Sequence, residues 1–166
     1  MSSSDTTAEI TELLVREGML LDEQRWEDWL ALYTDQTEYW VPSWKSEYEP
    51  TDDPHGEISL IYLTSKTRLA ERIQRIRSGK SAATLVIPRT VHTISNILVE
   101  DAKDDEAIVR CSAVTHMFDP KRRQEQQSFC RYQMKLVKES GGWKIAAKKI
   151  ILINDNLPTK LEFYML

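Results

Sequence analysis

Three histidines and two cysteines are present in this 166-residue chain, so the residues able to do chemistry can be weighed one by one. Asp22 and His92 make the sharpest pair. A carboxylate that holds an imidazole in an apolar pocket is equipped for general acid–base work, and Trp26 and Tyr33 follow Asp22 closely enough to wall such a pocket. The competing use of Asp22 is structural: it precedes a short helical pattern, and Asp is a preferred N-cap. That positional preference favours capping. His92 and His116 fall on neighbouring expected strands and would be two of the three ligands of a non-haem iron site. Ligand spacing typical of a metal site is absent, however, and a strand histidine is more often a hydrogen-bonded structural or interface residue. Cys111 and Cys130 form no C-x-x-C motif and have no histidine one or two residues away. They read as reduced, part-buried thiols. A Rieske cluster takes two Cys and two His, and a structural zinc takes four N/S ligands. Five scattered residues do not assemble a self-contained redox centre. The sequence has no Gly-rich phosphate cradle, no G-x-S-x-G and no Cys/His nucleophile arrangement.

The elements that must position these residues follow from periodicity. Ile10, Leu13, Leu14, Met19, Leu20 and Leu21 recur near a helical period, with Asp5 or a neighbouring Thr to cap the start. Trp26, Trp29, Leu30 and Tyr33 lie at i, i+3, i+4 and i+7, one face of a second, short helix. Thr34-Asp35-Gln36 reads as a polar turn, and Thr37 to Val41 as a strand limited by Pro42. The stretch 43–56 is loop-like, with Trp44 and Tyr48 interleaved among Pro, Asp and Gly. Ile58 to Leu63 is a short apolar run, strand or buried turn. Ser65 to Arg77 is a helix with Leu69, Ile73 and Ile76 on one face and Arg68, Arg72, Arg75 and Arg77 on the rest of it, ending at Ser78-Gly79-Lys80. Four strands follow: 89–100, 107–118, 128–138 and 143–153. Each alternates with period two, as half-buried antiparallel strands do. In the last of them Trp143, Ile145, Ala147, Ile151 and Ile153 are expected on one face. Ser140-Gly141-Gly142 signals a hairpin, and Asp119-Pro120 opens a charged loop. Helices first and strands later argue an α+β fold with helices on one face of a curved sheet.

At 166 residues the chain is one domain, 1–166, with polar residues 1–7 expected to be flexible. A net charge of −4 gives nucleic acid no electrostatic reason to bind. No basic region followed by an apolar core opens the chain, and no apolar run is long enough to span a membrane, so a cytoplasmic protein without a membrane partner is the expectation. The aromatic set Trp26, Trp29, Tyr33, Tyr39, Trp40 and Trp44 can line a cavity or build core and interface. Trp40 and Trp44, in or next to the loop, read as interface residues rather than core.

The order of these blocks resembles a known family. Leu21-Asp22-x-x-x-Trp26-x-x-Trp29-Leu30-x-Leu32-Tyr33, then Tyr39-Trp40-Val41-Pro42, is similar to the opening of the β (small) subunit of aromatic-ring-hydroxylating dioxygenases. Glu57-Ile58-Ser59-Leu60-Ile61-Tyr62 before the Arg-rich helix, Arg89-Thr90-x-His92-x-Ile94-Ser95-Asn96, and the ending Ile153-Asn154-Asp155 with an aromatic tail continue the likeness across nearly the whole chain. The benzoate, toluate and anthranilate branch looks nearest. The resemblance implies a cone-shaped α+β fold of the nuclear transport factor 2 type, with N-terminal helices packed on a strongly curved, mainly antiparallel sheet. It implies a non-catalytic subunit that supports assembly of larger α subunits, usually as α3β3, with a possible β trimer. The Rieske [2Fe-2S] cluster and mononuclear Fe(II) would belong to α, and a reductase using FAD and NADH would supply electrons. No catalytic, cofactor-binding or metal residue is then expected in this chain. Trp40, Trp44, Tyr48, Arg72 and Arg75 become the expected contacts to α or to other β subunits. Two other readings stand beside this one. In a stand-alone cone-fold lyase or isomerase, Asp22, Trp26, Tyr33, His92 and His116 would share a pocket. In a homodimeric small-ligand module, the pocket would lack polar convergence.

Overall fold

The computed structural model describes residues 3–79, 86–156 and 160–166. Its elements in chain order are α1 (Ser3–Asp22), α2 (Trp26–Leu30), β1 (Tyr33–Pro42), β2 (Ser59–Leu63), α3 (Lys66–Arg77), β3 (Arg89–Ala102), β4 (Glu106–Asp119), β5 (Gln124–Glu139) and β6 (Gly142–Leu152), then a 3₁₀ turn at Phe163–Met165. The strands form one sheet in the order β2-β1-β6-β5-β4-β3. Among the described residues only the β1–β6 pair is parallel; the rest are antiparallel. The helices lie on the inner face, where Ile10, Leu14, Leu21, Leu69 and Ile73 meet Val109, Met134, Leu136 and Ile145 in one buried core. This is the curved-sheet α+β architecture expected from the alternation of the strands.

Several local expectations change for definable reasons. α1 already begins at Ser3 and takes in most of the lead expected to be flexible. It ends without glycine: Gln24 adopts φ 55°, and its N–H and that of Arg25 return to the carbonyls of Leu21 and Leu20. This is the paired bonding of a Schellman stop. The turn makes Asp22 the last residue of α1. The N-cap of α2 is Arg25, which makes no side-chain capping bond, so Asp22 is not the cap. Thr34-Asp35-Gln36 is not a free turn but the irregular start of β1. Between Tyr33↔Ile145 and Glu38↔Ala147, β1 advances five residues while β6 advances two, so the polar residues bulge out of the ladder.

The expected face of β6 is wrong beyond Ile145. Opposite Lys135 and Leu136 the register skips Ala146, and one extra residue reverses every later side chain. Ile150 and Leu152 join the core, Ile153 becomes exposed, and Lys148 turns inward. The α3 boundaries follow their signals: Ser65 accepts the Arg68 N–H as N-cap, and Gly79 takes the left-handed φ of +60° just past the end. Lys80, expected in that stop, lies outside the described residues.

Candidate functional site

Two ionic groups reach the interior from one helix. Glu17 sits at the centre of the apolar stripe of α1, between Leu13/Leu14 and Leu20/Leu21. Its carboxylate accepts from Lys148 Nζ at 2.6 and 2.7 Å, from Trp29 Nε1 at 3.1 Å and from the Tyr33 hydroxyl at 2.5 Å. The Lys148 ammonium also stands 4.1 Å from the Tyr132 ring centroid, a cation–π contact between buried side chains. Glu17 is 2% and Lys148 1% exposed. Burial alone raises the Glu17 carboxyl, but the Lys148 charge and the hydrogen bonds from Lys148, Tyr33 and Trp29 outweigh it and hold the group below the ordinary carboxylate range. Burial, then the charge of Glu17, pushes the Tyr33 phenol well above its usual value. The periodicity of α1 held a signal for Glu17, a charge on the apolar stripe. For Lys148 there was none, since the bulge that turns it inward is a tertiary event.

Asp22 and His92 do meet. His92 Nδ1 lies 2.6 Å from Asp22 Oδ1, the His92 backbone N–H donates to Oδ2 at 2.9 Å, and the Thr90 hydroxyl donates to Oδ1 at 2.8 Å. Burial raises the Asp22 carboxyl, but the hydrogen bonds and charge of His92, with the bond from Thr90, outweigh it, so the net shift is downward. Gly18 makes the approach possible: a Cβ there would lie 3.0 Å from His92 Cβ. The other imidazole nitrogen is already engaged. His92 Nε2 is 3.1 Å from the main-chain oxygen of Leu166. Around it Phe163, Tyr164, Met165 and Leu166 are all buried. Phe163 stacks on Trp29 at 4.8 Å and stands edge-on to Trp26 at 5.4 Å, and the Ser128 hydroxyl bonds the Met165 carbonyl. The aromatic wall expected around a substrate is therefore packed against the chain's own tail. The nitrogen that a general base would use faces a backbone oxygen.

His116 does not join this group. It pairs with Val91, one step out of phase with His92, so the two rings lie on opposite faces of the sheet. His116 is exposed and bonds Gln127. The two thiols are buried in the core, on neighbouring strands, and burial pushes each up to about 12. Neither a Rieske cluster nor a mononuclear iron fits this donor set: the His92 and His116 imidazoles lie on opposite faces of the sheet, and the described residues gather no group of three metal-ligating side chains.

The expected interface residues divide in two. Trp40 is buried, not exposed. It donates to Ser59 Oγ at 2.9 Å beneath the Lys149 ammonium. Trp44 is half-buried and donates to the Leu152 carbonyl at 2.7 Å. Arg72 bonds Glu162 at 3.2 Å, with both side chains largely covered. Tyr48, at 84% exposed, and Arg75 face solvent. Among the described residues no helix is long and apolar enough to cross a membrane.

Comparison with known proteins places this geometry. The pattern of the family described as "Ring hydroxylating beta subunit" matches residues 16–159. The chain is 34% identical over 156 residues to the β subunit of benzoate 1,2-dioxygenase from Acinetobacter baylyi, covering 94% of this chain and 91% of that one. It is 30% identical over 166 residues to the β subunit of toluate 1,2-dioxygenase from Pseudomonas putida, covering 93% and 94%. The crystal structure of the β subunit of benzoate 1,2-dioxygenase from Burkholderia mallei superposes with a TM-score of 0.79 at 31% identity, covering 96% of each chain. A small subunit of a multicomponent oxygenase implies a larger partner. The family match over residues 16–159 and the relatives at 30% and 34% identity along nearly the whole chain lead to one conclusion: the chain belongs to the ring-hydroxylating β-subunit family, the small subunits of aromatic-ring dioxygenases.

Proposed function

We propose that this chain is the non-catalytic structural β subunit of a Rieske non-haem iron dioxygenase that cis-dihydroxylates a benzoate-like aromatic carboxylate with O₂ and NADH-derived electrons. It supports assembly of the α subunits in a cytoplasmic α3β3 complex, with contacts between β subunits. The Rieske cluster and the iron belong to α, and a flavin reductase oxidises NADH. The observation that carries this reading is the family match over residues 16–159; the filled interior tells against the stand-alone alternative. Where a stand-alone lyase or isomerase would need open space beside His92, residues 163–166 occupy it. The benzoate-like substrate class rests on the names of the relatives. Tyr48 and Arg75 remain exposed for partner contacts, whereas Trp40 and Arg72 act first within the subunit.

The test is co-purification of the tagged chain from its own cells, with the large partner recognised by its Rieske absorption and the iron counted per chain. A stable complex whose iron stays with the large chain after separation is the expected result. Failure to bind any Rieske-containing chain, or turnover by the small chain alone, would overturn the reading.

A further inference from the structure

Between α3 and the edge strand β2 runs an open groove of about 540 Å³, lined by Tyr62, Leu63, Arg68, Glu71, Arg72 and Arg75. The three arginines lie at i, i+4 and i+7, so they share one face of the helix and span about 10 Å along it at 1.5 Å per residue. Like charges at these spacings repel. The chain as a whole carries −4, so this concentration of positive charge runs against its average. Internal carboxylates answer it only in part. Glu71 pairs with Arg68 at 3.1 Å at the exposed rim, and Glu162 takes one nitrogen of Arg72 at 3.2 Å. Arg75 has no carboxylate within ion-pair distance among the described residues. Arg72 Nε is buried and has no hydrogen-bond acceptor, a state that is costly to leave unmade.

We propose that this groove is the docking surface for a carboxylate-bearing segment of the large subunit. The inference rests on the reading of the chain as a β subunit. Guanidinium forks match carboxylates in planar, paired geometry, and Arg is favoured over Lys at protein interfaces. One small anion would neutralise one arginine. A row about 10 Å long calls for successive acidic side chains on a single backbone. The flank suits a protein partner as well: β2 is the last strand of the sheet, so its outer edge has no strand neighbour among the described residues, and Ile58 and Leu60 beside it are exposed.

The experiment titrates the purified large subunit, first identified through its complex with the wild-type chain, with Arg68→Glu/Arg75→Glu. The milder Arg68→Gln/Arg75→Gln serves as a second variant if the first is poorly folded by circular dichroism. Arg131→Glu, on the outer sheet face, lowers the net charge by the same two units as Arg68→Gln/Arg75→Gln and controls for it. The groove variants should weaken assembly about tenfold or more at low salt and flatten its salt dependence, while Arg131→Glu stays within about threefold. Wild-type assembly by the groove variants overturns the inference. So does a loss confined to Arg131→Glu, which would place the interface on the sheet. Binding of free benzoate or citrate to the groove with assembly unaffected overturns it as a small-anion site. If the wild-type chain itself binds no large subunit, the β-subunit reading fails instead.

Discussion

Helix α1 sends two carboxylates inward five residues apart, and they end in different situations. Glu17 is enclosed on all sides by Lys148, Trp29 and Tyr33. Asp22, at the helix end, keeps 21% of its side chain exposed while its partner His92 keeps 1%. Glu17 thus bears the full desolvation of a buried charge and depends on a full-strength counter-ion. Asp22 is part-solvated and is held mainly by directional hydrogen bonds. The first pair ties α1 to the middle of the sheet; the second ties α1, β3 and the tail together at the rim. Neither presents a reactive atom to an open pocket, so two acid–base pairs that suggest catalysis read better as fasteners.

The sharpest way to break this comparison is to remove one member of the sealed pair. Lys148→Met leaves Glu17 charged and unpaired, and should cost about 3–5 kcal/mol in urea unfolding. Glu17→Gln/Lys148→Met should recover most of that loss, because the uncharged amide oxygen introduced at position 17 can still accept from Trp29 and Tyr33. A Lys148→Met variant within about 1 kcal/mol of wild type would show that water reaches the buried carboxylate. At the rim, Asp22→Asn should cost less, about 1–3 kcal/mol, since it weakens hydrogen bonds at a part-solvated site. The same comparison has a pH signature. Both carboxyls titrate below their ordinary values in the fold. The unfolded chain therefore takes up these protons first as pH falls, and stability declines from the ordinary carboxylate range downward. Urea midpoints measured from neutral to acid pH should fall less steeply in Asp22→Asn than in wild type; equal slopes would remove Asp22 from the acid response.

Gly18→Ala tests the approach of α1 to β3. Better helix propensity favours alanine by about 0.5–1 kcal/mol, yet the added methyl meets a His92 held at both nitrogens. Overpacking should win, with a net loss of about 1 kcal/mol; a stabilised variant would mean that the rim pair can shift. The smallest effect belongs outside both pairs: Tyr48→Ala should change stability by no more than about 0.5 kcal/mol, so any loss of assembly in that variant reports on the partner and not on the fold.

Much of this arrangement is written locally. The apolar spacing of α1 and α3, the Ser65 cap and Gly79 stop, the period-two strands and the Gly141-Gly142 hairpin all follow from short-range chemistry, and the elements appear where that chemistry puts them. The pairing of Asp22 with His92 was legible as a possibility from residue types alone. The preference for capping failed because a non-glycine residue, Gln24, took the left-handed turn that ended α1.

Patterning and composition act residue by residue, and they were enough for the class of fold and the shortage of metal ligands; the family came from the resemblance of ordered motif blocks. Which way the residues face was decided in three dimensions. One extra residue in β6 turned Lys148 into the core and Ile153 out of it. One step of register on β3 separated His92 from His116. The tail, distant in sequence, closed over Asp22 and His92. Bulges, register and long-range packing depend on partners that no local window contains, and here they made the difference between an active-site pair and a fastener.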